Sequence, residues 1–143
     1  MIILDTNVVS EVMRMEPSEK VVAWLDALPA DEVWLTAVTY GEVLIGIALL
    51  PIGRRRQRLE RLFETTIDAR FADRILPYDR MAASHFPEIM MARRRQGHPA
   101  SMQDAQVAAI ALAHGATLAT RNVKDFEGTG IDLVNPWESP DTT

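Results

Sequence analysis

Met1-Ile2-Ile3-Leu4-Asp5-Thr6-Asn7 opens the chain with a short, wholly apolar run that ends on a carboxylate. Consecutive apolar residues with no polar alternation read as a strand covered on both faces, the habit of parallel sheets. Similar short runs recur to the end of the chain. Val33-Trp34-Leu35, Ile75-Leu76, Thr117-Leu118-Ala119 and Ile131-Asp132-Leu133-Val134 are the further predicted strands. Helical stretches fall between them, at residues 8–13, 17–28, 38–50, 53–69, 79–96 and 101–114. Val21, Val22, Leu25 and Leu28 keep helical spacing in the second, and Leu59, Leu62, Phe63 and Ile67 turn inward from the fourth. Pro29, Pro51, Pro77 and Gly97-His98-Pro99 mark stops, and Gly115 is placed as the residue just past a helix end. Strand alternating with helix predicts an α/β sandwich with a mostly parallel sheet. Ligands of such sheets bind beyond the carboxyl ends of the strands. Asp5 and Asn122 would project there.

A chain of 143 residues, 48% apolar, is expected to form one domain over residues 1–137, with 138–143 as a flexible tail. No apolar stretch approaches the roughly 18–20 residues a membrane span requires, and the N-terminus lacks a basic leader, so no signal peptide is expected. The absence of cysteine excludes disulfides, thiolate zinc sites and thiol nucleophiles, and fits a cytoplasmic location. The net charge of −5 disfavours holding nucleic acid by bulk charge. It leaves room for transient action on nucleic acid through a bound cation and local arginines, and it suits a basic protein partner.

Asp5, Glu42, Asp104, Asn122 and Asp125 all stand where elements begin or end. Each has a plain structural reading. Asp5 can cap the helix after it. Thr39-x-x-Glu42 and Ser101-x-x-Asp104 match the capping box. Asn122 and Asp125 fit turn chemistry. The helix behind Glu42 is apolar all round (Val43, Leu44, Ile45, Ile47, Ala48, Leu49, Leu50), which predicts deep burial. A carboxylate opening such a helix is costly unless paired or metal-bound. Carboxylates gathered from distant segments repel one another unless a cation joins them. Oxygen-only donors suit Mg²⁺ or Mn²⁺, and such a site can hydrolyse phosphodiesters.

Ile3-Leu4-Asp5-Thr6-Asn7, then Thr39-Tyr40-Gly41-Glu42-Val43 with Gly46, then Asp104 heading an alanine-rich helix, then Leu118-Ala119-Thr120-Arg121-Asn122-Val123-Lys124-Asp125-Phe126, together resemble a PIN-domain protein. The likeness covers nearly the whole chain and is greatest to the VapC/FitB-type toxins of bacterial toxin–antitoxin pairs. It implies a three-layer α/β/α sandwich whose acidic residues bind Mg²⁺ or Mn²⁺ and cleave RNA. Carried over by motif, Asp5, Glu42 and Asp104 form the acidic core. A fourth acid commonly stands where this chain has Asn122, which can coordinate through its amide oxygen but with one negative charge fewer; Asp125 is the other candidate to complete the site. Thr6 and Thr120 match the family's hydroxyl positions, and Asn7 is a candidate orienting residue. The resemblance also implies a cognate antitoxin, a homodimer, and a higher-order complex of the two.

The expected scheme has Asp5 and Asp104 holding the cation and Glu42 orienting the attacking water or taking its proton. In-line attack then leaves a 5′-phosphate and a 3′-hydroxyl. Arg93, Arg94 and Arg95 end one helix, where positive charge favours the helix terminus. They are also candidate phosphate contacts, as the arginines of 54–61 are to a lesser degree. Three scattered histidines suggest no metal triad, and Trp24 and Trp34 read as core. Rival readings are a DNA-directed nuclease of the same fold, a PIN-like interaction module without catalysis, favoured by Asn122, and a receiver-like domain. The last would need a second acid beside Asp5.

Overall fold

The computed structural model describes residues 1–138. The expected tail lies outside the described residues apart from Glu138. Strands β1 (Ile2–Leu4), β2 (Val33–Thr36), β3 (Ile75–Leu76), β4 (Thr117–Ala119) and β5 (Asp132–Val134) form one five-stranded sheet in the order β3-β2-β1-β4-β5. Every pairing is parallel. Ile2 lies opposite Val33 on one side and Thr117 on the other, so the first strand of the chain is the centre of the sheet.

Helices α1 (Thr6–Val12), α2 (Glu19–Asp26), α3 (Ala37–Ala48), α4 (Arg54–Thr66), α5 (Arg80–Arg95) and α6 (Met102–Ala113) complete the α/β/α sandwich. Side chains alternate across a strand, and here they divide the core in two. Ile3, Trp34 and Leu118 face a cluster built with α5 and α6. Leu4, Val33, Leu35 and Ala119 face a second built with α1 to α4. The first is tight because Ala105, Ala108, Ala109 and Ala111 line α6 and are fully buried.

Element ends follow capping chemistry. Oxygens of Ser18, Thr36, Asp79 and Ser101 accept from the backbone N–H groups of Val21, Thr39, Ala82 and Asp104, satisfying donors that a helix start leaves free. Gly115 adopts φ +60° after the His114 cap, as placed from the sequence. Two expectations for α3 change. Thr36, not Thr39, caps it, so Glu42 lies inside the helix and makes no capping box. Nor is α3 buried all round: Val43 and Ile47 face the core, while Ile45 and Leu49 are 56% and 78% exposed. A helix in an outer layer covers one stripe only, whatever its opposite face is made of. The helix expected over 53–69 is α4 followed by a π turn, Ile67–Phe71. Trp24 and Trp34 are half-buried against the two clusters.

Candidate active site

With β1 central, chain order runs outward to one edge through β2 and β3 and to the other through β4 and β5. The crevice of such a sheet opens where the direction changes, at the carboxyl ends of β1 and β4. Asp5 follows β1 directly, and its N–H donates to Ala119 O of β4 at 2.9 Å. Thr120 follows β4 and is fully buried.

Asp5 is 6% exposed and serves two purposes. Its Oδ1 accepts from Thr6 N at 2.9 Å, capping α1. Its Oδ2 accepts from Thr120 Oγ1 at 2.8 Å and Asn7 Nδ2 at 3.4 Å. Thr120 Oγ1 in turn accepts from Asn7 Nδ2 at 3.2 Å and Asn122 N at 3.1 Å, which uses its one donor and both acceptor positions. Asn7 Oδ1 accepts from Arg121 N at 3.2 Å. The loops after β1 and β4 are thus tied together through Asp5, Asn7 and Thr120.

Glu42 joins from α3. Its Oε2 accepts from Thr6 Oγ1 at 3.0 Å, and the same hydroxyl lies 3.4 Å from Thr39 Oγ1. Asp104 stands in the first turn of α6, where Ser101 Oγ accepts its N–H at 3.1 Å. Ser101 thus supplies the cap half of the capping box, and the Asp104 carboxyl stays within reach of the Asp5 charge.

Electrostatics place these groups in one neighbourhood. Burial raises the Asp5 carboxyl above the ordinary 3.8, the hydrogen bonds from Thr120 and Thr6 oppose this, and the charges of Glu42 and Asp125 add to it. Burial likewise raises Asp104, followed by the charge of Asp5; Ser101 opposes, Asp125 adds and Arg93 opposes. Among the described residues no three acidic or histidine side chains close around a single point. The donors are nonetheless all oxygen, and two of them, Asp5 and Asp104, are carboxylates whose charged form is disfavoured by burial and by neighbouring acids. That chemistry fits a hard divalent cation, which relieves both penalties at once.

The remaining sequence candidates separate. Asn122 and Asp125 lie exposed on the loop after β4, and the Asn122 side chain makes no cap. Only Asp125 carries charge to Asp5 and Asp104. Arg93, Arg94 and Arg95 do not act as a triplet, because consecutive helical residues point in different directions. Arg93 is 5% exposed; its Nη1 donates to Glu127 O at 2.9 Å and Gln96 Oε1 at 3.1 Å, and its buried Nε has no partner among the described residues. Arg94 and Arg95 are exposed. Two features went unseen in the sequence. Glu11 is buried and accepts from Arg14 Nη1 at 3.1 Å and Ser18 N at 3.3 Å, for which the i, i+3 spacing to Arg14 was a signal. Arg121 lies over the Trp137 ring, 5.0 Å from its centre, and sequence spacing gives no hint of that.

The PIN domain family model matches residues 2–130. VapC ribonuclease Y4jK of Sinorhizobium fredii is 38% identical, over 96% of this chain and 99% of its own. Toxin FitB of Neisseria gonorrhoeae is 40% identical over the same shares, 96% and 99%. The solved structure of FitAB bound to an IR36 DNA fragment superposes with a TM-score of 0.92 at 38% identity, covering 100% of both chains.

Proposed function

The chain belongs to the PIN-domain family, and from that premise we propose that it is a divalent-metal-dependent endoribonuclease and the toxin of a toxin–antitoxin pair. The relatives named as a VapC ribonuclease and a toxin support the reading. The observation that carries it is Asp5, a carboxylate buried at the sheet's switch point within the field of Glu42, Asp104 and Asp125.

Asp5 and Asp104 would hold Mg²⁺ or Mn²⁺, with Asp125 rather than Asn122 supplying the further negative charge. Bound there, the ion supplies Lewis-acid polarisation of the phosphate and lowers the pKa of water. Thr120, Asn7 and Thr6 fix the Asp5 carboxylate through both oxygens. Thr6 holds Glu42 by Oε2, which leaves Oε1 to orient the attacking water and accept its proton. In-line displacement at phosphorus then breaks the bond to the 3′ oxygen, which leaves as the hydroxyl, and the 5′-phosphate stays on the other product. No side-chain nucleophile is required. We place the enzyme in the cytoplasm, with RNA as substrate, an antitoxin as protein partner, and a homodimer as its own state.

The test is RNA cleavage by Asp5→Asn with Mg²⁺ or Mn²⁺, and by the parent chain in EDTA. Loss in the variant should exceed the roughly 10–100-fold that removing an outer partner costs a metal site. Unchanged cleavage in either arm rules the scheme out. Calorimetric titration with Mn²⁺ separates a nuclease from a PIN-like module that binds no metal. Growth arrest on expression, relieved by the co-expressed antitoxin, tests the toxin role.

A further inference from the structure

The cleft holding Thr6 and Glu42 continues as an open groove of about 1110 Å³ along α1, α3 and α4, with Arg55, Arg58, Arg121 and Trp137 in its walls. All three of these arginines are exposed, and among the described residues none forms an ion pair. The acids along the same groove are Glu42, which belongs to the acidic end, Glu11, which Arg14 offsets at 3.1 Å, and Glu16. A protein of net charge −5 thus collects unpaired positive charge in the groove that holds Glu42.

The Arg121–Trp137 stack is held from several sides. Arg121 N donates to Asn7 Oδ1 at 3.2 Å, Asn135 Nδ2 donates to Arg121 O at 3.4 Å, and Trp137 N donates to Asn135 Oδ1 at 2.9 Å. Trp137 also packs against the core shared by α1 and α3. Arg121 adjoins Thr120, which bonds Asp5, so the stack is tied to the acidic site through two neighbouring residues. A guanidinium plane backed by an indole is a surface on which an unpaired base stacks, and arginines farther along take phosphates.

Resting on the ribonuclease reading, we infer that Arg121, backed by Trp137, stacks one RNA base beside the acidic site, and that Arg55 and Arg58 hold backbone phosphates along the groove. RNA is favoured because Arg55, Arg58 and Arg121 have no ion-pair partner among the described residues and Arg121 lies on Trp137; Met13, Val43, Ile47, Leu50 and Leu59 give the same groove an apolar side that would suit an antitoxin segment, the alternative the test separates.

The test uses the Asp5→Asn chain, so that RNA is bound without being cut, and a short fluorescent single-stranded RNA read by anisotropy. Trp137→Leu and Arg121→Ala should each weaken binding about tenfold, while Trp137→Phe keeps most of it. Arg55→Ala with Arg58→Ala should reduce the slope of log affinity against log salt by about 1.4. Binding by Trp137→Leu equal to the parent overturns the inference. So does a Phe variant as weak as the Leu variant, which shows packing alone. So does loss of antitoxin binding with RNA binding intact, which assigns the groove to the protein partner. Thermal melts check folding, and Arg121→Ala carries the test if the Trp137 variants unfold. A parent chain (with Asp5 restored) that does not cleave RNA defeats the ribonuclease reading itself. One that cleaves while the variants bind normally defeats only the groove.

Discussion

Asp5 shows why a residue read in isolation misleads. Capping and site chemistry looked like alternatives in the sequence, yet one carboxylate does both, one oxygen to each. Its raised pKa gives a signed prediction. The Asp5 contribution to stability is fully present below the unfolded value near 3.8 and is lost as pH rises through the higher folded value. Asp5→Asn keeps one acceptor where both Asp5 oxygens accept, so it should lose one tie at every pH, while its thermal midpoint relative to the metal-free parent should improve as pH rises from that value towards neutrality. A pH-independent change argues against burial as the cause. Thr120→Val removes the hydroxyl that serves Asp5 Oδ2 and Asn122 N, and should cost about 1–3 kcal/mol in denaturant melts, with Thr120→Ser recovering most of it. Asp5 was legible from its position after a strand, Glu42 and Asp104 from their places near helix starts and from the family resemblance. The Thr120 hydroxyl that holds Asp5 was visible only as a matching residue type, because its partners lie up to 115 positions away.

At the scale of elements, periodicity and stop signals located the five strands and six α-helices of the described residues but not the short 3-10 turns Ala30–Glu32 and Val123–Phe126, and errors concentrated where outer faces decide. The apolar run of α3 suggested burial on all sides, but Ile45 and Leu49 point outward, and hydrophobicity alone does not distinguish the two. The α5 terminus carried three arginines in a row, and only the fold reveals that Arg93 is turned inward onto Glu127 O. Arg93→Ala should accordingly lower stability by about 1–3 kcal/mol, whereas Arg94→Ala stays within about 0.5 kcal/mol, both read by thermal unfolding. Equal effects would mean that Arg93 is not the internal tie. The α6 alanines make a second case. Ala108 is fully buried in the cluster shared with α5, so Ala108→Leu should overpack it at about 1–3 kcal/mol.

For the whole molecule, alternation of strand and helix announced a parallel sheet, but not which strand would be central; that depends on pairing between segments far apart in sequence. The resulting order sets Asp5 against the loop after β4, and the metal site proposed there predicts metal-linked stability. Binding to the folded chain alone should add about 2.7 kcal/mol at a Mn²⁺ concentration 100 times its dissociation constant. Because the Asp5 and Asp104 carboxyls are raised above their ordinary value, affinity should increase with pH, as protons and cation compete for the same oxygens. Melts across Mn²⁺ concentration and pH read both, and affinity that falls as pH rises contradicts the competition.

The central place of β1 has one more consequence, for a chain still on the ribosome. During synthesis β1 waits for one flank until Val33 and for the other until Thr117. Until then the nascent polypeptide has half a sheet and no Thr120 to lock Asp5. The tie between Asp5 and the loop after β4 therefore cannot form on the nascent chain before residue 120 has left the ribosome.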